Sequence, residues 1–151
     1  KAREMALSED GNYVKKSGED FKSIVQGVLG YKGEIRLKIG TPIIEAIDQI
    51  DKSLNSNDQL FAVTKLVDQQ IYANYHLFKT NYIAFDYQEQ RQEFSSLYSE
   101  QEKDNFLNYL KKQSVVEDVS EEKMLHYLLL IYSNPVRTKY GKPITENFNL
   151  E

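Results

Sequence analysis

The chain has 151 residues, about one domain's worth at roughly 150 residues per domain, with 40% hydrophobic and 28% charged residues, 7 Gly and 3 Pro. Those shares exclude collagen-like, linker-like and disordered classes. The formal charge is −4, from 19 Lys and Arg against 23 Asp and Glu. No basic stripe interrupts that balance, so a nucleic-acid partner is not expected. Cysteine is absent, which excludes a disulfide framework, thiolate metal sites and a Cys nucleophile, and fits a reducing compartment.

Residues 1–16 are polar without a clear period, and Asp10-Gly11-Asn12 reads as a turn. The chain opens on Lys1 rather than Met, with no signal-like apolar stretch behind it. The expectation is therefore a processed or cut piece whose chemistry lies upstream. Ser17 offers an N-cap, with Glu19 and Asp20 in the favoured first turn. Phe21, Ile24, Val25, Val28 and Leu29 then recur at helical spacing up to the stop signal Gly30.

The period changes at residues 34–39. Ile35, Leu37 and Ile39 alternate with Glu34, Arg36 and Lys38, which predicts a strand with one buried face, ended by Gly40-Thr41-Pro42. Its backbone groups need a partner. The candidates are residues 82–87, rich in aromatic and β-branched side chains, or a strand upstream of residue 1.

Helix resumes with Ile43, Ile44, Ile47 and Ile50. After the polar break Asn55-Ser56-Asn57-Asp58, the apolar series Leu60, Val63, Val67, Ile71, Tyr75 and Phe78 predicts the longest helix, over 58–79. Ser99 and Glu102 form a capping-box pattern ahead of Phe106, Leu107 and Leu110. Ser120 caps a last helix through Tyr132, apolar on most faces and so central in the core. Asn134-Pro135 is expected to stop it. The expected fold is mainly α, in an α+β arrangement, with four to five helices and one or two short strands. Residues 1–43 read as the end of a core, 44–135 as a helical extension and 136–151 as a loose tail. No run approaches the roughly 18 apolar residues of a membrane span; the densest, 124–132, contains His126.

Chemistry is sparse. The two histidines, His76 and His126, have Asn81 and Ile131 five residues on, and neither has a placed partner. Packing or surface roles are expected for both, and two His with no Cys do not make a zinc site. Of the acidic pairs Asp48/Asp51, Glu100/Glu102 and Glu121/Glu122, the last two sit at helix starts, where the dipole accounts for them. Arg36 and Lys38 on the strand's polar face are a candidate phosphate contact, weighed against an ordinary solvated face. Eleven Tyr and seven Phe mostly follow helical periods. Tyr82, Phe85 and Tyr87 do not, and mark a candidate interface with a protein or a membrane surface. No catalytic residue, metal site or cofactor is expected.

The segment Tyr31-Lys32-Gly33-Glu34-Ile35-Arg36-Leu37-Lys38-Ile39-Gly40-Thr41-Pro42-Ile43 resembles the end of the glycerolipid acyltransferase domain of the lysophosphatidic acid acyltransferase superfamily, where a late strand closes with a Gly-x-Pro-Ile turn. Lys1-Ala2-Arg3-Glu4-Met5, Asp68-Gln69-Gln70-Ile71-Tyr72-Ala73-Asn74-Tyr75, Asn81-Tyr82-Ile83-Ala84-Phe85-Asp86 and Ile131-Tyr132-Ser133-Asn134-Pro135 are similar to blocks in acyltransferase-like proteins of the Bacteroides group. The resemblance implies a parent enzyme moving an acyl group from acyl-CoA or acyl carrier protein to a lysophospholipid-like acceptor. It also implies a place in the cytoplasm or at the cytoplasmic face of a membrane, with peripheral membrane contact. Family catalysis rests on His-x-x-x-x-Asp, which this chain lacks. The piece itself is therefore expected to be non-catalytic, and no substrate residue is assigned. The alternative is an independent helical interaction module with no enzymatic activity.

Overall fold

A computed structural model describes residues 1–9, 11, 13–30 and 32–141. The chain divides into two compact units, one of residues 1–35 and 77 onward, the other Arg36–His76.

The first unit contains five helices: α1 (Ala2–Glu9), α2 (Glu19–Leu29), α5 (Lys79–Gln88), α6 (Glu100–Ser114) and α7 (Glu121–Tyr140). The second contains α3 (Ile44–Asp48) and α4 (Ser56–Asn74). Seven α-helices thus stand among the described residues, above the four to five expected. The mainly helical class holds.

α7 is the central element, packed against α1, α5 and α6. Ile83 and Ala84 of α5, Phe106 and Leu110 of α6 and Leu129 of α7 form the core, with Tyr98, Leu125 and Tyr132 packed around them. The caps behave as their residue types dictate. Ser99 and Glu102 close a reciprocal capping box on α6, and the Ser120 hydroxyl accepts from the Lys123 N–H to start α7.

α7 does not stop at Asn134-Pro135. It continues to Tyr140 and ends at Gly141, whose positive φ of 62° suits a glycine. A mid-helix Pro costs about 3 kcal/mol. Beyond it, however, Val136 is 0% exposed and Arg137 3% exposed. Burying the Val contributes roughly 2 kcal/mol, and Arg137 joins a polar cluster that ties α7 to α5. Gln88 Oε1 accepts from Ser133 Oγ at 2.6 Å and from Arg137 Nη2 at 3.2 Å. Arg137 also pairs with Glu89 and lies 5.1 Å over the Phe85 ring. The rest of the expected tail, residues 142–151, lies outside the described residues.

α1 carries no periodic stripe of large residues, so its helix was not expected. Ala2 and Ala6, one turn apart, are both buried, and small side chains let α1 lie close on α7. Arg3 Nε donates to Asp118 Oδ1 at 2.8 Å, and Tyr127 of α7 donates to Glu9 at 2.9 Å. α2 begins one residue later than expected. Gly18, at φ 79°, occupies the cap position rather than Ser17.

The strand expected at residues 34–39 does not form, nor does the one at 82–87. Residues 35–43 form neither helix nor ladder, and the β pairing among the described residues is an isolated bridge between Val116 and Val119. Alternation dictates which side chains share a face; it does not supply a neighbouring strand for the backbone N–H and C=O groups. Residues 82–87 lie within α5. Ile83, Ala84 and Phe85 are each at most 1% exposed there, whereas Tyr87 is 41% exposed.

The helix expected over 58–79 is also broken. α4 ends at Asn74, with Tyr75 extended at its C-cap. Asn74 turns its side-chain amide onto the Gln70 carbonyl at 2.8 Å. α5 then restarts where the Phe78 N–H donates to Asn81 Oδ1 at 2.8 Å. Two asparagines competing with the backbone divide what the apolar period alone would join.

Candidate functional site

The first unit holds a cavity of about 1280 Å³, bounded by the end of α2, residues 32–34, the start of α5, α6 and Tyr132. Its walls include Val25, Leu29, Ile83, Phe106 and Tyr109. Among its lining residues Lys79 Nζ meets Glu102 Oε1 at 2.6 Å. This lysine and the Ser99 cap bonds hold the Glu102 carboxyl down to about 2. Desolvation, then the neighbouring Tyr109, pushes the Tyr132 phenol up to about 12. Near neutral pH the carboxylate is thus ionised and paired, and the phenol is protonated. The cavity is an open groove lined by both apolar and polar side chains. It does not supply a base poised near neutrality.

His76 is exposed in the second unit, whereas His126 is half-buried on α7 in the first. Burial lowers the His126 pKa, opposed by the Glu9 carboxylate, and its ring lies edge-on to Tyr127 at 5.2 Å.

The acidic pairs are accounted for by local bonds and helix starts. Asp51 accepts from the Ser53 N–H at 2.8 Å, which lowers its pKa. Glu100 pairs with Lys103 at 3.1 Å, and Glu102 with Lys79 and the Ser99 cap. Glu121 and Glu122 lie in the first turn of α7. Among the described residues no group of three or more His, Cys, Asp or Glu is placed to hold a metal ion. Among the same residues no helix is long and apolar enough to cross a membrane.

The aromatic trio proposed as an interface is largely internal. Phe85 is buried, and Tyr82 packs on Phe94 with ring centres 5.0 Å apart; Tyr87 alone is exposed. Phe94 itself is held by Asp86, whose Oδ2 accepts from the Phe94 N–H at 2.9 Å and from the Tyr98 hydroxyl at 2.8 Å. Desolvation first, then this bond, raises the Tyr98 pKa.

Arg36 and Lys38 lie in the irregular segment before α3, both exposed. On the same segment Ile35, Leu37 and Ile39 are 74%, 90% and 87% exposed. The segment is pinned just beyond its end, where the Thr41 N–H donates to Gln70 Oε1 at 3.2 Å. The cavity escaped the sequence. The capping box marks Glu102, but nothing local announces Lys79, 23 positions away. Comparison with known proteins returned no match among family models, curated proteins or solved structures.

Proposed function

We propose that this chain is the non-catalytic helical region of a glycerolipid-type acyltransferase, whose reactive half transfers an acyl group from acyl-CoA or acyl carrier protein to a lysophospholipid-like acceptor. The observation that carries the reading is the ribbon 34–39. It alternates like a strand, yet it forms no ladder and displays Ile35, Leu37 and Ile39 to solvent. That is how a strand looks when the sheet it belongs to is supplied by other residues. Two of the blocks that carry the resemblance also meet in the first unit, where Asn81 Nδ2 donates to the Tyr132 carbonyl at 2.8 Å. In this reading the region packs on the catalytic half and adds the ribbon to its sheet edge. The absence of His-x-x-x-x-Asp from the sequence agrees with a supporting role.

The test compares this chain with the full product of its gene, each given acyl-CoA and a lysophospholipid while CoA thiol release is followed. Turnover by the gene product and none by the chain is expected. Turnover by the chain alone, or by neither, overturns the reading. The rival, a self-standing helical interaction module, draws its support from the first unit, which has a core of its own.

A further inference from the structure

We infer that two copies of this chain pair through α4, antiparallel about a two-fold axis that passes between Lys65 and Leu66. The inference goes beyond the acyl-transfer reading and does not depend on it.

The two faces of α4 differ. Ala62 and Leu66 are half-buried on the side that meets α3. On the opposite side Leu60, Thr64, Val67 and Ile71 recur at steps of four, three and four, the spacing of a coiled-coil seam, and all four are exposed. The Thr64 hydroxyl donates to the Leu60 carbonyl at 2.9 Å, so it can enter an apolar contact with its hydrogen bond already made.

The seam is complementary to itself. With the two helices antiparallel and fully overlapped, Leu60 faces Ile71 twice and Thr64 faces Val67 twice, and Asn57 stands opposite Asn74 at each end. Sliding by a heptad either way leaves Ile71 or Leu60 uncovered, and slides of three or four residues match only one of the seam's two rows. A two-fold of this kind also brings the same flank of each helix together. On that flank Phe61, Lys65, Asp68 and Tyr72 follow at the same steps. Lys65 therefore comes within about 3 Å of level, along the helix axis, with Asp68 of the other copy, and Phe61 with Tyr72, each twice. A parallel pair on the same seam sets Asp68 against Val63 and Phe61 against Ser56 instead, so neither the charges nor the rings meet. Charge and apolar patterns thus agree in the antiparallel arrangement, as an isologous contact requires. The charged residues of α4 are Asp58, Lys65 and Asp68, a balance that suits a second copy and not an anionic bilayer. One pair of 19-residue helices buries less than the roughly 1,600 Å² of a standard interface, so a weak dimer is expected, with a Kd on the order of 100 µM.

Sedimentation equilibrium of the intact chain from about 10 to 500 µM tests it, with circular dichroism as the check on folding. Lys65→Glu and Asp68→Lys should each weaken the dimer about fivefold, since each replaces two attractions with two repulsions. The double variant should restore it to within about twofold. The chain has no cysteine, so introduced thiols report direction. Asn57→Cys and Asn74→Cys chains, mixed and mildly oxidised, should crosslink to each other, and neither should crosslink to itself. A monomer at every concentration, whatever else the seam then binds, overturns the pairing. So does an open-ended assembly, a self-crosslinked single variant, or no rescue by the charge-swapped double variant.

Discussion

The two units are built from similar residues and reach opposite outcomes. In the first, α5, α6 and α7 bury Ile83, Phe85, Leu110 and Val136 to 1% exposure or less. In the second, none of residues 36–76 is buried, and Leu60, Phe61 and Ile71 of its longest helix are 66%, 72% and 51% exposed. Both carry amphipathic helices. Only the first has three long helices to close around one another. A 41-residue segment with one short and one long helix lies near the limit below which a chain rarely holds a core unaided. Helical pattern makes a helix; the count of faces available to cover it makes a core.

That contrast can be broken most sharply by mutation. Phe85→Ala should cost about 3–5 kcal/mol, the usual penalty for emptying a packed aromatic site. Phe61→Ala should change stability by no more than about 0.5 kcal/mol, as for an exposed position. Urea unfolding followed by tyrosine fluorescence measures both, and equal costs would erase the distinction between the units. A middling effect is expected of Asn81→Ala. Asn81 satisfies the Phe78 N–H at the start of α5 and reaches the Tyr132 carbonyl, so its loss should cost about 1–2 kcal/mol. A shift under about 0.3 kcal/mol would mean that water replaces both bonds.

The smallest effect concerns acid. Glu102 has an ordinary carboxyl value of 4.5 and is held down to about 2 in the fold. A depressed folded-state value adds stability that is complete above 4.5 and is lost as pH falls from there toward 2. Glu102→Gln should therefore lower the Tm at pH 7 slightly and leave it unchanged near pH 2. Parallel curves for the two proteins across that range would remove Glu102 from the acid response.

What the sequence disclosed follows from what each signal encodes. The capping box at Ser99 and the cap at Ser120 were legible because such bonds close within three residues. The apolar run 124–132 placed α7 at the centre because no face of it could be left in water. The ribbon's alternation predicted one buried face, yet every side chain from Glu34 to Ile39 is exposed, because alternation cannot report whether a strand lies beside it. The break after Asn74 hid inside an unbroken apolar period, since it depends on side-chain amides turning onto the backbone. Pro135 misled for the opposite reason: the burial of Val136 and Arg137 that offsets it is tertiary. The cavity was invisible because its walls come from segments about a hundred positions apart.

The shared contact of Gln88 with Ser133 and Arg137 has a mechanical consequence. The two donors stand one helical turn apart on α7, and a single amide oxygen takes both. Slipping α7 by a turn along α5 would slide Leu129 and Ser133 into those places, leaving a leucine where the guanidinium or the hydroxyl had been. Hydrophobic side chains tolerate such a shift far better than this trio does. The trio therefore works as an index pin that permits one axial setting of the two helices and rejects its neighbours.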